Sequence, residues 1–294
     1  MPRVARPGAF SFLSEESGYT VGTIEKQGTL IYDRHSLYGK RSRRIMTRLF
    51  IENAIDKATS VWEIEGNDAR YLSDVLRMRP GEELILCDKD RIDHVCVIEN
   101  IAKGHVAVSI KDRHPNTNEP KFQATVYQGL AKGERMDLSI QKSVELGVTR
   151  YVPTACSRSI VKMKPGSKDG KKDRWQAIAL EAARQCGRGI VPTVEAPMEL
   201  KDALIEAGKT CDLVLFPWEE EKEGKLGEIL NAFDFEKCPK IAVFIGPEGG
   251  FSEEEARMAQ ENGAKLVTLG KRILRTETAA PAVLAMLVYR SELI

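Results

Sequence analysis

The hydrophobic rhythm of the chain changes near residue 120, and that change restricts the fold more than any other feature. On the C-terminal side, apolar runs at 124–130, 151–155, 212–216, 241–245 and 266–269 alternate with helical patterns at 136–146, 174–186, 253–262 and from about 279 onward. Strands that alternate with helices build a largely parallel sheet, because each crossover helix must cover the sheet it returns to. Gly147 and Gly263 stand where helix C-terminal glycines belong. Residues 121–294 are therefore expected to form one α/β domain.

Residues 46–118 read differently, as a small and mostly β domain. Runs at 48–51, 82–87, 94–101 and 105–110 have strand character, Pro80-Gly81 makes a turn, and one short helix is expected at 68–77. The segment His114-Pro115-Asn116-Thr117-Asn118-Glu119-Pro120 is rich in turn formers and reads as a linker. Residues 1–45 carry scattered Gly and Ser and end in Lys40-Arg41-Ser42-Arg43-Arg44. They read as a poorly ordered extension ahead of Met46, with a basic RNA-binding arm as the other reading. Their longest apolar patch, Ala9-Phe10-Ser11-Phe12-Leu13, is too short and broken for a signal-peptide core.

Composition narrows the compartment and the partners. The 6 cysteines are spread out with no C-x-x-C pair, which argues for a reducing, cytoplasmic setting and against zinc or disulfides. No apolar run approaches the roughly 20 residues that a membrane-spanning helix needs, so no membrane partner is expected. Net charge is only +1, but residues 150–188 hold ten Lys or Arg against three Asp or Glu, a local excess of +7. A polyanion would dock on such a segment; a solvated lysine-rich loop around Lys162, Lys164, Lys168, Lys171 and Lys172 is the plainer alternative.

Three stretches carry candidate chemistry. In the first, the strand Ile241–Ile245 runs into Gly246-Pro247-Glu248-Gly249-Gly250-Phe251-Ser252, and Ser252 with Glu255 forms a capping box for the next helix. Loops at strand carboxyl ends bind ligands in open α/β sheets, and glycines let backbone approach a ligand closely. A simple tight turn is the competing reading; the P-loop and dinucleotide fingerprints are both absent. In the second, the strand ending at Leu269 enters Gly270-Lys271-Arg272-Ile273-Leu274-Arg275-Thr276-Glu277-Thr278. Apolar Ile273 and Leu274 in a polar loop suit an adenine pocket, or they plug the core while Thr278 caps a helix. The third is the helix 174–188, whose Glu181, Arg184, Gln185 and Arg188 fall on one face by helical spacing, either as a functional set or as a solvated face. Arg158, in Ser157-Arg158-Ser159 after a strand, is well placed to hold a phosphate. No hydrolase triad or metal-ligand spacing occurs; all 4 histidines precede the α/β domain.

Taken together, KGERMDLSIQKSVELGV (132–148), SRSIVK (157–162), RWQAIALEAARQCGR (174–188), IGPEGGFSEEE (245–255) and LGKRILRTETA (269–279) resemble the RsmE family, the 16S ribosomal RNA uridine-N3 methyltransferases of the SPOUT superfamily. RLFIE (48–52) and DVLRMRPGEEL (74–84) are similar to the family's N-terminal domain, and the resemblance spans essentially all of 46–294. It implies an α/β protein in which a PUA-like RNA-binding β-barrel (46–118) precedes a SPOUT methyltransferase domain (121–294) with a C-terminal trefoil knot. It further implies a homodimer that uses S-adenosyl-L-methionine (AdoMet) and acts on 16S rRNA of the small ribosomal subunit. One departure is Ala69-Arg70-Tyr71-Leu72, where the family often has His-His-Leu.

On that resemblance the AdoMet pocket maps to Phe216-Pro217, to the loop 246–250 with Gly246, Pro247, Gly249 and Gly250, and to residues 269–276 with Leu269, Gly270, Ile273, Leu274 and Thr276. Uridine N3 is a poor nucleophile until its proton is lost, so a proton acceptor and cationic donors toward O2 and O4 are expected. Glu277 or Glu181 is the candidate acceptor; Arg275 and Arg184 or Arg188 are the candidate donors. Arg48, Arg77, Arg79, Arg158 and Arg188 are expected on RNA. A ribose 2′-O-methylating relative and a non-catalytic ribosome-assembly factor are the alternatives.

Overall fold

The computed structural model describes residues 46–161 and 168–294, with two sheets. The expected N-terminal extension lies outside the described residues, as do Lys162 and Lys164. The first sheet is built from β1 (Thr47–Phe50), β2 (Val61–Glu65), β3 (Glu83–Cys87), β4 (Ile92–Ala102) and β5 (His105–Pro115), in the order β1-β3-β4-β5-β2. Only the β1–β3 pair is parallel. A short helix α1 (Gly66–Arg70) continues into a π-helical turn, Tyr71–Val75, where the sequence predicts one helix. Alternating residues such as Leu84, Leu86, Val106 and Val108 fill the core of this unit, as a one-sided sheet requires. β2 was not expected: Val61-Trp62-Glu63-Ile64-Glu65 is short, and two of its residues are glutamates on the outer face.

The second sheet is entirely parallel. Its strands are β6 (Gln123–Gly129), β7 (Val148–Ala155), β8 (Thr193–Val194), β9 (Met198–Glu199), β10 (Leu213–Pro217), β11 (Lys240–Ile245) and β12 (Lys265–Val267). They lie in the order β12-β10-β11-β6-β7-β8, with β9 on β7. Helices α2 (Glu134–Glu145), α3 (Lys168–Cys186), α4 (Leu200–Thr210), α5 (Leu226–Asn231), α6 (Glu253–Glu261) and α7 (Thr276–Glu292) cover it. Alternate residues of each strand enter separate cores: Val126, Leu215 and Val243 one, Tyr127, Phe216 and Phe244 the other. Burial on both sides explains why these strands read as unbroken apolar runs. Helix α4 has an apolar stripe, Leu200, Ala203, Leu204 and Ala207, that the sequence reading passed over. Helix α7 begins at Thr276, three residues before the expected start, with Arg275 and not Thr278 at its N-cap. No helix among the described residues is long and apolar enough to cross a membrane.

The expected linker is a built junction. β5 runs through Pro115, and Asn116 Nδ2 donates to Asp93 Oδ2 at 3.0 Å and to the Gly187 carbonyl at 3.1 Å. Two arginines expected on RNA are consumed here. Arg48 is 6% exposed and forks onto Asp93 at 2.6 and 2.7 Å, while also donating to the Arg188 carbonyl. Arg188 is 2% exposed, pairs with Glu119 at 2.8 and 2.7 Å, and donates to the carbonyls of Val144 and Val148. A buried guanidinium needs its donors satisfied by the protein, and here that requirement leaves neither arginine facing solvent for a phosphate. Burial alone would raise the carboxyl of Asp93, but the hydrogen bonds and charge of Arg48 prevail and hold it below the ordinary aspartate value.

Candidate active site

The loops that leave β10, β11 and β12 converge on a cleft of about 460 Å³ at the carboxyl ends of the strands. That is where open parallel sheets present ligand sites, and the volume lies in the range of small-molecule pockets. Backbone packing shapes it. A Cβ on Gly129 would lie 2.5 Å from the Pro247 nitrogen, so only glycine lets the end of β6 press against the loop after β11. Gly250 has φ +66°, and a Cβ there would stand 2.9 Å from Glu219 Oε1. The predicted capping box is present, Ser252 accepting from the Glu255 N–H and Glu255 Oε2 from the Ser252 N–H.

Most residues predicted for the cofactor meet in this cleft: Gly246, Pro247, Gly250, Leu269, Gly270, Ile273, Leu274 and Thr276, together with Arg275 and Glu277. Two do not line it. Phe216 is fully buried, its ring 4.1 Å from that of Phe251, because the alternation of β10 turns it into the core; Pro217, expected beside it, does line the cleft, with Trp218 and Glu219. Gly249 faces outward, and its carbonyl accepts a hydrogen bond from Arg158 at 3.1 Å. Ile273 is 83% exposed, so it is a rim residue and not a plug in the core.

Charge in the cleft is arranged around Arg135, which the sequence reading did not single out although it stands in the quoted KGERM stretch. From the first turn of α2, Arg135 Nη1 donates to Glu248 Oε1 at 2.8 Å, and its Nε lies 3.8 Å from Glu277 Oε2. Burial would raise the carboxyl of Glu248, but the Lys132 N–H and Arg135 together hold it below the ordinary glutamate value. Glu277 Oε2 is buried and accepts no hydrogen bond among the described residues. The Trp218 indole nitrogen is likewise buried without a partner. Unsatisfied buried polar atoms are uncommon; of the four among the described side chains these two line one cleft, while Ser143 Oγ and Arg184 Nε lie elsewhere. Lys271, Arg272 and Arg275 make no ion pair among the described residues and are exposed.

Glu181 and Arg184 lie elsewhere. Arg184 stacks 4.8 Å above the Tyr71 ring and pairs with Asp68 at 2.9 Å and Glu181 at 2.8 Å. Tyr71 donates to Glu181 at 3.3 Å; burial, then the charge of Glu181, raises its phenol. This pair clasps α3 to α1 and the π-helical turn, and neither residue lines the cleft. Arg77, Arg79 and Arg158 are exposed, Arg77 with a left-handed φ of 53°.

Similarity to known proteins agrees with this site. The chain matches the RNA methyltransferase domain over residues 117–288 and the RNA methyltransferase PUA domain over 64–111, and it belongs to that class of enzymes. It is 32% identical to ribosomal RNA small subunit methyltransferase E of Bacillus subtilis across 85% of this chain and 98% of the relative. The chain thus belongs to the RsmE family. Two solved structures with S-adenosylmethionine bound share the fold. The Neisseria gonorrhoeae RsmE is 32% identical with a TM-score of 0.72, covering 82% of this chain and 96% of its own. A Legionella pneumophila methyltransferase is 31% identical with a TM-score of 0.72 and the same coverage.

Proposed function

We propose that the chain transfers a methyl group from AdoMet to N3 of a uridine in 16S rRNA of the small ribosomal subunit. The observation that carries this reading is the juxtaposition of a glycine-lined cleft with a Glu277 carboxylate oxygen that accepts no hydrogen bond among the described residues, the Arg135 guanidinium standing 3.8 Å from it. The cleft fits the cofactor: Gly246 and Gly250 keep a wall free of side chains, Leu269 and Leu274 give apolar surface, and the Trp218 indole N–H has no acceptor among the described residues. These residues would hold AdoMet, which supplies an electrophilic methyl group when bound.

The protein's own part is to place and deprotonate the base. Glu277 Oε2 accepts the N3 proton, and Arg275 stabilises the negative charge that then spreads over O2 and O4. Glu277 is poised for this because no hydrogen bond among the described residues occupies that oxygen. N3 is paired within a duplex, so the target uridine is taken from a loop or flipped out. Arg77, Arg79 and Arg158 hold the RNA backbone, positioning it without reading sequence.

Two further features belong to this reading. A C-terminal trefoil knot is supported by the path of residues 265–268: Val267 accepts from the Trp218 N–H while the Thr268 N–H donates to Gly224, so this segment runs against both ends of the loop after β10. A homodimer is supported by the outer face of α7, where Met286 and Tyr289 are 40% and 58% exposed. A second copy would be needed to bring Glu181 and Arg184 near a cleft.

The test is methyl transfer from labelled AdoMet to small subunits and free rRNA from a strain lacking the cognate enzyme, with modified nucleosides read by mass spectrometry. The expected product is 3-methyluridine. Label on ribose overturns the N3 assignment, and no transfer together with no AdoMet binding overturns the enzymatic reading.

A further inference from the structure

Beneath the cleft a buried hydrogen-bond chain crosses five elements. The Tyr151 hydroxyl donates to Ser139 Oγ at 2.8 Å, and Ser139 Oγ donates to Gln128 Oε1 at 3.0 Å. Gln128 Nε2 donates to Thr276 Oγ1 at 2.7 Å, and Thr276 Oγ1 donates to the Gly246 carbonyl at 2.6 Å. The side chains come from β7, α2, β6 and the first residue of α7, and the chain ends on the loop after β11. Tyr151, Ser139 and Gln128 are 0%, 1% and 1% exposed, and Thr276 is 7%.

The order of protons along this chain is fixed by chemistry. An amide nitrogen can only donate, so Thr276 must accept from Gln128 and give its own proton to Gly246. An amide oxygen can only accept, so Ser139 must point its proton at Gln128 and take one from Tyr151. Burying these groups among Val126, Ile140 and Val243 is tolerable only because each is paired, and a fully satisfied network fixes one geometry where an apolar core would allow several. The two groups fixed at its end, Thr276 and Gly246, both line the cleft.

We propose that Gln128, Ser139 and Tyr151 are positioning residues that set the spacing of the Gly246 and Thr276 walls, and through them the affinity for AdoMet. The inference rests on the reading that this cleft is the cofactor's. It gives a role to residues that carry none in the sequence pattern: Ser139 lies unassigned within the 132–148 stretch, Gln128 and Tyr151 belong to strands, and the Tyr151 hydroxyl reaches the cleft only through Ser139, Gln128 and Thr276.

Ser143 supplies a matched control. It lies one helical turn beyond Ser139 on α2, is fully buried, and its hydroxyl has no hydrogen-bond partner among the described residues. The experiment is calorimetric titration of AdoMet into the full chain, beside thermal unfolding of each variant. Tyr151→Phe and Ser139→Ala each remove one link and are expected to weaken AdoMet binding about 3- to 10-fold, the effect of one net hydrogen bond. Gln128→Leu removes two links and is expected to weaken it further, whereas Ser143→Ala should bind as the unaltered chain does. If Gln128→Leu does not fold, the two milder variants decide. Lower melting temperatures with unchanged affinity in Tyr151→Phe and Ser139→Ala would overturn the proposal, leaving the network a packing feature. Failure of the unaltered chain to bind AdoMet would instead overturn the reading of the cleft.

Discussion

Two regions of this molecule are rich in arginine and glutamate, and they use them in opposite ways. At the junction between the sheets, Arg48, Arg188 and Arg184 are buried or nearly so, and each is matched to a named carboxylate. At the cleft, Arg275, Arg272 and Lys271 are exposed without ion pairs among the described residues, and Glu277 keeps one oxygen unbonded. A charge matched to a carboxylate inside the protein holds elements together, even where one donor, Arg184 Nε, stays unbonded; a charge without a partner at a cavity is available to a ligand. Spacing along the chain does not distinguish the two, since Glu181 and Glu277 each have an arginine close by in sequence.

The sharpest way to break the comparison is to remove a junction arginine. Arg48→Ala strands Asp93 in a buried site, and loss of one partner of a buried pair costs about 3–5 kcal/mol, a large share of the usual stability. Denaturant unfolding should show a loss of that order; a change below about 1 kcal/mol would mean that the pair contributes little net stabilisation. The same pair sets a pH response. The Asp93 carboxyl is lower in the folded chain than its ordinary value, so the unfolded chain binds more protons there. Its contribution is present above about pH 4 and is lost as pH falls through the folded-state value. Melting temperature should therefore drop less steeply with acid in Asp93→Asn than in the unaltered chain.

The next effect in size belongs to the cleft. Glu277→Gln keeps the shape of the side chain and removes the proton acceptor, so methyl transfer should slow by about 100-fold or more, the low end for loss of a general base. Melting temperature should stay within a few degrees, because no hydrogen bond to Oε2 is lost. A variant with near-normal turnover would show that positioning of the two substrates supplies the rate and that Glu277 is dispensable.

The sequence made the second sheet and its loops readable because strands buried on both faces are unbroken apolar runs and the loops carry glycines with specific packing needs. The glycine loop, the capping box and the RILRTET stretch lie where the pattern put them, and the cleft forms between them. What could not be read was the direction of side chains at element ends. Phe216 and Pro217 are neighbours, yet strand alternation sends one into the core and the other to the cleft. Burial of Arg48 and Arg188 depends on Asp93 and Glu119, partners 45 and 69 residues away that no local pattern identifies. Arg135 was hidden for the same reason: Glu248 lies 113 residues away and meets it only once α2 packs beside the loop after β11.

The smallest expected effect tests the boundary between the two regions. Glu181 is over half exposed, its pair with Arg184 spans three residues of one helix, and its bond from Tyr71 is long at 3.3 Å. Glu181→Gln retains an acceptor for Tyr71 and loses only a surface-type ion pair, worth about 0.2–0.5 kcal/mol. Arg184 would keep its bond to Asp68 and its seat over Tyr71, so the clasp should survive. Methyl transfer should change by less than about 3-fold, the rate equivalent of such an energy. A loss of turnover as deep as that of Glu277→Gln, with melting temperature unmoved, would place Glu181 in the chemistry. Within one chain it does not line the cleft, so that result would require a second copy to carry it there. Titrating an inactive Glu277→Gln chain against an inactive Glu181→Gln chain would then decide the matter: activity restored in the mixture means that each copy supplies one carboxylate to a shared site.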